Sequence, residues 1–462
     1  MIKDLLTLDE ALKLNRKQVR QHYENYINPG LANLLGLLDF DKQFVRAQGV
    51  SVWDSDGHEY LDFLGGYGSL NIGHNHPRVI EALEKVRSVP NFLQASMGTL
   101  ASALAYNLAQ ITPGDLGRSF FGNSGAEAVE GALKLARAAT KKPRIIYVEG
   151  SFHGKTYGAL SVTGRAKYQT AFGPLVPGTE VVPFGDLAAL EEKLRSRDVA
   201  AFIVEPIQGE GGVKVPPEGY LKAALELCHR HDALLILDEI QTGFGRTGRM
   251  FAAEFEDVVP DVMCLAKSLG GGIMPIGAYI ARPEVWDRAY GGIDRAILHT
   301  STFGGNSWAA AAGLAAIEVI IKENLPAEAA RKGDYFLGKL RDLGARFPLI
   351  KEVRGRGLLI GVEFEKPAKG WMDRLTGGAV NKLSEEYLGA MVAGELQNRH
   401  RIITAYTLNN PNVIRLEPPL TVTYEQIDQV VEALEDIFTR NKGLLSFTLS
   451  TARTAVGSML RR

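Results

Sequence analysis

Two short apolar runs constrain this chain more than any other feature. Leu234-Leu235-Ile236-Leu237 ends on Asp238, and Val262-Met263-Cys264-Leu265-Ala266 ends on Lys267. Short apolar runs bounded by turn signals read as buried strands. In α/β sheets, ligands collect outside the carboxyl ends of the strands. At two such ends this chain offers a carboxylate and an amine.

The surrounding sequence repeats one rhythm of strand, glycine turn and helix. Phe120-Phe121 leads into Gly122-Asn123-Ser124-Gly125-Ala126. A helix follows, with Val129, Ala132, Leu133 and Ala136 on one face. Ile145 to Val148 and Ala201 to Val204 read as further strands, and 217–231 as a helix. Gly277 to Ala281 is a candidate antiparallel member. Strands alternating with helices imply an α/β fold, a mostly parallel sheet covered on both faces.

At 462 residues the chain exceeds one average domain, so a second unit is expected. Residues 326–346 read as a helix and Leu358 to Phe364 as a strand. A polar stretch (365–379), a helix at 381–398, strands at 402–403 and 413–416 and a last helix at 424–438 follow. The expected division is an N-terminal segment at 1–75 packing with the small domain, a large domain at 76–325, a smaller α+β domain at 326–440 and a tail at 441–462. Within the first segment, 5–27 reads as helical and ends at an expected turn, Asn28-Pro29-Gly30. Asp54-Ser55-Asp56-Gly57 reads as a hairpin turn. Asp62 to Gly68 is a glycine-rich loop carrying Tyr67.

A net charge of -1 argues against a nucleic-acid partner. Cys228 and Cys264 lack any CxxC or Cys/His metal spacing, which favours a reducing, cytoplasmic setting and no metal. No run of eighteen apolar residues occurs, so no membrane span is expected. Residues 1–18 lack the apolar core of a signal peptide.

Asn123-Ser124-Gly125-Ala126 opens a helix. Its free backbone N–H groups and the Ser124 hydroxyl suit a phosphate, although such turns are also ordinary helix caps. No Gly-Lys-Ser/Thr follows, so a nucleotide P-loop is not indicated. Lys267 precedes Gly270-Gly271-Gly272, which permit close approach of backbone to a ligand. A partly desolvated lysine loses its proton readily and can attack a carbonyl. A carboxylate such as Asp238 keeps a heteroaromatic nitrogen protonated by charge pairing. Phosphate cradle, amine and carboxylate are together the three handles of pyridoxal 5'-phosphate.

Three segments carry a family resemblance: Glu205-Pro-Ile-Gln-Gly-Glu-Gly-Gly212, Leu237-Asp-Glu-Ile-Gln-Thr-Gly-Phe-Gly-Arg-Thr-Gly248 and Ala266-Lys-Ser-Leu-Gly-Gly-Gly272. The chain resembles the class III pyridoxal-phosphate aminotransferases of fold type I. The resemblance implies that Lys267 holds the cofactor covalently, Asp238 pairs with its ring nitrogen and Gln241 bonds its phenolic oxygen. It assigns the phosphate to Ser124, Gly125 and Ala126, and ring stacking to Phe152. Thr302 would reach the phosphate of a neighbouring subunit, making the active unit a homodimer. Arg415 is expected to bind a substrate carboxylate, with Glu205 neutralising it when no carboxylate is bound. Tyr67 would line the substrate pocket, and His153 is read as structural.

Within the family the sequence is most similar to putrescine (diamine) and ornithine aminotransferases. The implied reaction moves a terminal amino group from putrescine or cadaverine to 2-oxoglutarate or pyruvate. Ornithine, 4-aminobutyrate and other ω-amino acids stay open as donors. An aminomutase or decarboxylase, and a non-catalytic cofactor-binding protein, are the readings from other classes. The 365–409 stretch, with Trp371, Met372, Arg374 and Tyr406, is longer than that resemblance implies.

Overall fold

A computed structural model of the chain describes residues 5–93, 96–365 and 379–441. Its centre is a seven-stranded sheet. The strands are β4 (Arg118–Gly122), β5 (Arg144–Val148), β6 (Thr179–Val182), β7 (Val199–Val204), β8 (Leu234–Asp238), β9 (Val262–Leu265) and β10 (Gly277–Ala281), in the order β4-β10-β9-β8-β7-β5-β6. The five from β9 to β6 run parallel, and β10 runs antiparallel to both β9 and β4. The α/β fold class expected from the strand–helix rhythm is the observed one.

The two opening runs form β8 and β9, and their side chains alternate between two cores. Leu235, Leu237, Met263 and Leu265 join one cluster; Leu234, Ile236, Val262 and Cys264 join the other. The helix Gly125–Thr140 covers the second face with Ala128, Val129, Ala132 and Ala136. The helices Thr99–Ile111 and Ser307–Lys322 contribute Leu104, Leu108 and Ala312 to the first. Burying each such leucine is worth roughly 1.5–3 kcal/mol. Both faces are therefore covered, and the carboxyl edge is the part of the sheet left for a site.

Register fixes what stands at that edge. Val204 pairs with Leu237, and Asp238 pairs with Cys264. Glu205, Asp238 and Lys267 consequently follow one another across three adjacent strand ends.

Two smaller sheets complete the fold. One comprises β1 (Phe44–Gln48), β2 (Ser51–Asp54), β3 (Glu59–Asp62) and the distant β13 (Ile402–Ile403), which runs parallel to β3. The other, in the order β11-β12-β15-β14, holds β11 (Ile350–Arg356), β12 (Leu359–Phe364), β14 (Ala405–Tyr406) and β15 (Val413–Leu416). The helices Leu325–Arg346 and Tyr424–Arg440 pack there through Phe336, Leu340, Val430 and Leu434. Among the described residues no helix is long and apolar enough to cross a membrane.

Two expectations change. Asn28-Pro29-Gly30 ends the helical run at Ile27, as expected, but it also begins a further helix. Asn28 Oδ1 accepts the Leu31 N–H at 3.0 Å, and Pro29 opens Pro29–Leu37. Asparagine and proline serve turns and helix starts alike. Strand β11 is an addition to the expected elements, because its sequence, IKEVRGR, is charged and mostly half-exposed or exposed. Trp371, Met372 and Arg374 lie outside the described residues, as does the tail from 442.

Candidate active site

A cleft of ≈ 480 Å³ opens at the carboxyl ends of β7, β8 and β9. Ser124, Gly125, Ala126, Phe152, Glu205, Asp238, Gln241 and Lys267 all line it. A larger cavity, of ≈ 1000 Å³, lies by the N-terminal helices, but its charges neutralise one another. Arg16 pairs with Asp39 at 2.9 Å and Arg20 with Asp41 at 2.8 Å.

Asp238 is buried at the end of β8. Its Oδ2 lies 2.6 Å from His153 Nδ1, and its Oδ1 accepts the Ile240 N–H at 3.1 Å. A proton on Nδ1 makes the imidazole the donor of the first contact. His153 therefore aims the carboxylate, a task its sequence context does not reveal. Its Nε2 is buried without a hydrogen-bond partner among the described residues.

Lys267 is half-buried and has a φ of 48°. That left-handed backbone strains a residue with a Cβ, and such strain collects at functional sites. Burial pushes its amine below the ordinary 10.5, against an opposing pull from the Glu417 carboxylate.

Ser124 caps the helix Gly125–Thr140, with Oγ accepting the Glu127 N–H at 3.2 Å. The first N–H groups of a helix have no intrahelical acceptor and face the positive end of its dipole. Gly125 lets this turn press onto β8's continuation: a Cβ there would stand 2.9 Å from Ile240 Cδ1.

The expected pairing of Glu205 with Arg415 does not occur. Glu205 accepts the Phe152 N–H at 2.9 Å and the Gly209 N–H at 3.0 Å. Burial pushes its carboxyl up to about 7, and His153 and the two N–H donors pull against that rise. Arg415 instead places Nη2 2.8 Å from Glu210 Oε1. The reason is geometric. Glu205 follows β7 directly and stays beside Asp238. The chain then folds back through the Gln208↔Lys214 bridge, and Glu210 at its tip faces β15. The Glu210 oxygen lies off the N–H directions of Arg415, so the buried guanidinium keeps its donors unbonded among the described residues.

Tyr67 is 47% exposed and sets its ring 4.7 Å from the Arg415 guanidinium carbon. Gln241 Nε2 donates to both Glu417 oxygens, at 2.9 and 3.0 Å. Glu417 and Glu210 are two site residues that sequence reasoning missed, although each stands next to residues it singled out. Thr302 is exposed and does not line the single-chain cleft. Its loop meets the cradle through Asn123 Nδ2, which donates to Ser301 Oγ at 3.1 Å.

The family model for aminotransferase class III matches residues 39–438. This chain belongs to the class III aminotransferases. Aminotransferase PigE of Serratia sp. is 41% identical over 91% of the chain. The chain spans 53% of that relative's length. An ornithine aminotransferase structure from Toxoplasma gondii is similar at 35% identity, covering 97% of this chain and all of that one, with a TM-score of 0.82. A PLP-bound amine transaminase from an uncultivated Pseudomonas species is similar at 31% identity, covering 86% and 95%, with a TM-score of 0.76.

The aminotransferase cleft fits pyridoxal phosphate by its donor set. Lys267 offers an amine for an aldehyde carbon, Asp238 a fixed carboxylate for a ring nitrogen, and the Ser124 helix start a seat for phosphate.

Proposed function

We propose that this chain is a pyridoxal-phosphate-dependent transaminase that takes a terminal amino group from a diamine such as putrescine or cadaverine. It passes that group to 2-oxoglutarate or pyruvate. The observation that carries the reading is the meeting of Lys267 and Asp238 at adjacent strand ends in one cleft. Bound pyridoxal phosphate supplies an electron-accepting ring joined to the carbon that carries the substrate nitrogen.

The chain's own residues do the rest. Lys267 Nζ would anchor the cofactor through its aldehyde carbon. Its depressed basicity then leaves a free amine able to take a proton from the substrate carbon and return it. Asp238, aimed by His153, keeps the ring nitrogen protonated. Ser124, Gly125 and Ala126 hold the phosphate, Phe152 backs the ring, and Gln241 donates to its oxygen. Thr302 completes the phosphate seat of a second copy, so the working unit is a homodimer. Residues 76–325 form the cofactor-binding domain, and 326–440 the smaller one.

Arg415 receives the carboxylate of the keto acid, to which a planar guanidinium fork is suited. Glu210 neutralises it while a carboxylate-free amine occupies the site. This is the role expected of Glu205, moved to the residue 2.8 Å from the guanidinium. Both cysteines are buried and free, which suits a cytoplasmic enzyme.

The similarity to ornithine aminotransferases favours one second reading, ornithine as donor. A panel of putrescine, cadaverine, ornithine, 4-aminobutyrate and β-alanine, each with 2-oxoglutarate and with pyruvate, separates the two. Diamine-dependent glutamate or alanine formation is the expected result. Strong turnover of ornithine with none of the diamines overturns the diamine reading.

A further inference from the structure

Gln241 lines the cleft, and its amide is held from behind. Its Nε2 lies 2.9 and 3.0 Å from the two oxygens of Glu417. Both residues are buried. An ionised carboxylate only accepts, so the nitrogen of the amide, and not its oxygen, has to face it. The two oxygens of one carboxylate lie in nearly the same direction from that nitrogen. One N–H therefore serves both, and the second N–H has no acceptor among the described residues. The amide oxygen stands against Gly209, where a Cβ would overlap it. Of the two ends of this amide, one is thus turned to an anion and the other to a bare backbone.

Glu417 is itself fixed by groups that belong to the fold. Its N–H donates to the Phe63 carbonyl at 2.8 Å. Arg246, also buried, donates to the carbonyl of the next residue, Pro418, at 2.5 Å and to Asn71 Oδ1 at 2.6 Å. Gly68, with a φ of 82°, leaves the space that Glu417 Oε1 fills, since a Cβ there would overlap that oxygen. Among the described residues the carboxylate accepts side-chain hydrogen bonds from Gln241 alone and forms no ion pair. Burying a carboxylate without a paired cation is costly. A hydroxyl or an amide in its place would avoid that cost, but each can donate as well as accept and so would pair with either end of Gln241. Only an acceptor without a donor decides which way the amide points.

We propose that Glu417 is a positioning residue for Gln241, fixing the amide so that its remaining N–H, rather than its oxygen, is presented to the phenolic oxygen of the bound cofactor. Glu417 touches neither cofactor nor substrate and acts only through that amide. The proposal rests on the cofactor reading above and adds the residue behind one of its contacts. The test titrates the cofactor-free full chain with pyridoxal 5'-phosphate and reads Kd from fluorescence, which needs no turnover. Gln241→Ala removes the contact and should raise Kd about tenfold, the scale of one hydrogen bond to a charged group. Glu417→Ala leaves the amide free to turn over and should raise Kd by a similar factor. Glu417→Gln keeps an acceptor at the same reach and should recover part of that loss. In the Gln241→Ala background, Glu417→Ala should change Kd by less than about twofold, because no amide is left to aim. A loss of the same size with and without the Gln241 amide would mean that Glu417 acts through the fold alone and would overturn the proposal. An unchanged Kd in Glu417→Ala overturns it too. If Glu417→Ala does not fold, Glu417→Gln is measured in both backgrounds, and equal effects there overturn it as well. Wild-type protein that takes up no pyridoxal phosphate is a different result, which refutes the proposed function and this proposal with it.

Discussion

The floor and the wall of the cleft are built differently. The floor is one sheet edge: Glu205, Asp238 and Lys267 follow β7, β8 and β9, whose pairing register sets their spacing. The wall, which stands behind Gln241 and does not itself line the cleft, is assembled from three remote stretches that supply Tyr67, Glu210, and Arg415 with Glu417. Hydrogen bonds within a single sheet hold the floor. The wall depends on how the β11–β15 sheet and the N-terminal segment pack against the floor, through contacts such as Arg246 to Pro418. The proposed chemistry sits on the part fixed by local register. The proposed choice of substrate sits on the part fixed by packing.

The largest effect should come from breaking the floor alone. Lys267→Ala removes both the cofactor's anchor and the proton carrier. Transamination should fall by at least about 10⁴-fold, the upper end of what a positioned acid–base group contributes. Borohydride should then fix no cofactor on the chain. Arg415 is untouched, so calorimetry should still detect 2-oxoglutarate. Covalent cofactor in this variant would move the anchor elsewhere, and lost keto-acid binding would mean that floor and wall cannot be separated.

The same division explains what was legible in the sequence. An apolar run ending on a charge encodes a buried strand and its exposed end together. Asp238 and Lys267 are therefore placed by the residue pattern alone, as is the Ser124 turn that starts a helix. The wall has no such signal. Glu205 and Glu210 lie in one motif, and nothing in their order says which faces an arginine two hundred residues away. The Gln208↔Lys214 bridge decides it by turning Glu210 toward β15. Glu417 is equally hidden, because its burial depends on the space at Gly68 and the amide of Gln241. The role of His153 escapes the sequence for a related reason: its partner, Asp238, stands 85 positions along the chain.

A middle-sized effect should test the reassignment within the wall. Glu210→Gln removes the anion beside Arg415, leaving the guanidinium open to a carboxylate at all times. The KM for 2-oxoglutarate should fall and that for a diamine rise, moving their ratio by about tenfold, or ~1.4 kcal/mol. Glu205→Gln should leave that ratio as it is. The reverse pattern in steady-state kinetics would return the role to Glu205.

The smallest effect concerns Glu205 as a floor residue, and it is read in stability rather than rate. Burial raises its carboxyl from an ordinary 4.5 to about 7 in the folded chain. Between those values the folded protein keeps a proton that the unfolded chain has released. Stability from this group is therefore greatest below 4.5, declines as pH climbs toward 7, and is level above. The difference sets an upper scale of about 3 kcal/mol. Glu205→Gln cannot ionise, so it escapes the decline. However, its amide offers one oxygen to the two donors, Phe152 N–H and Gly209 N–H, and loses about 1 kcal/mol at every pH. Thermal melts of the cofactor-free protein should find the variant less stable than wild type near pH ~5 and more stable near pH ~8. A difference that stays flat across that range would mean Glu205 is ionised in the fold at both ends of it. It would then be a second fixed anion beside Asp238, and the floor would hold more charge than its burial allows without a cation.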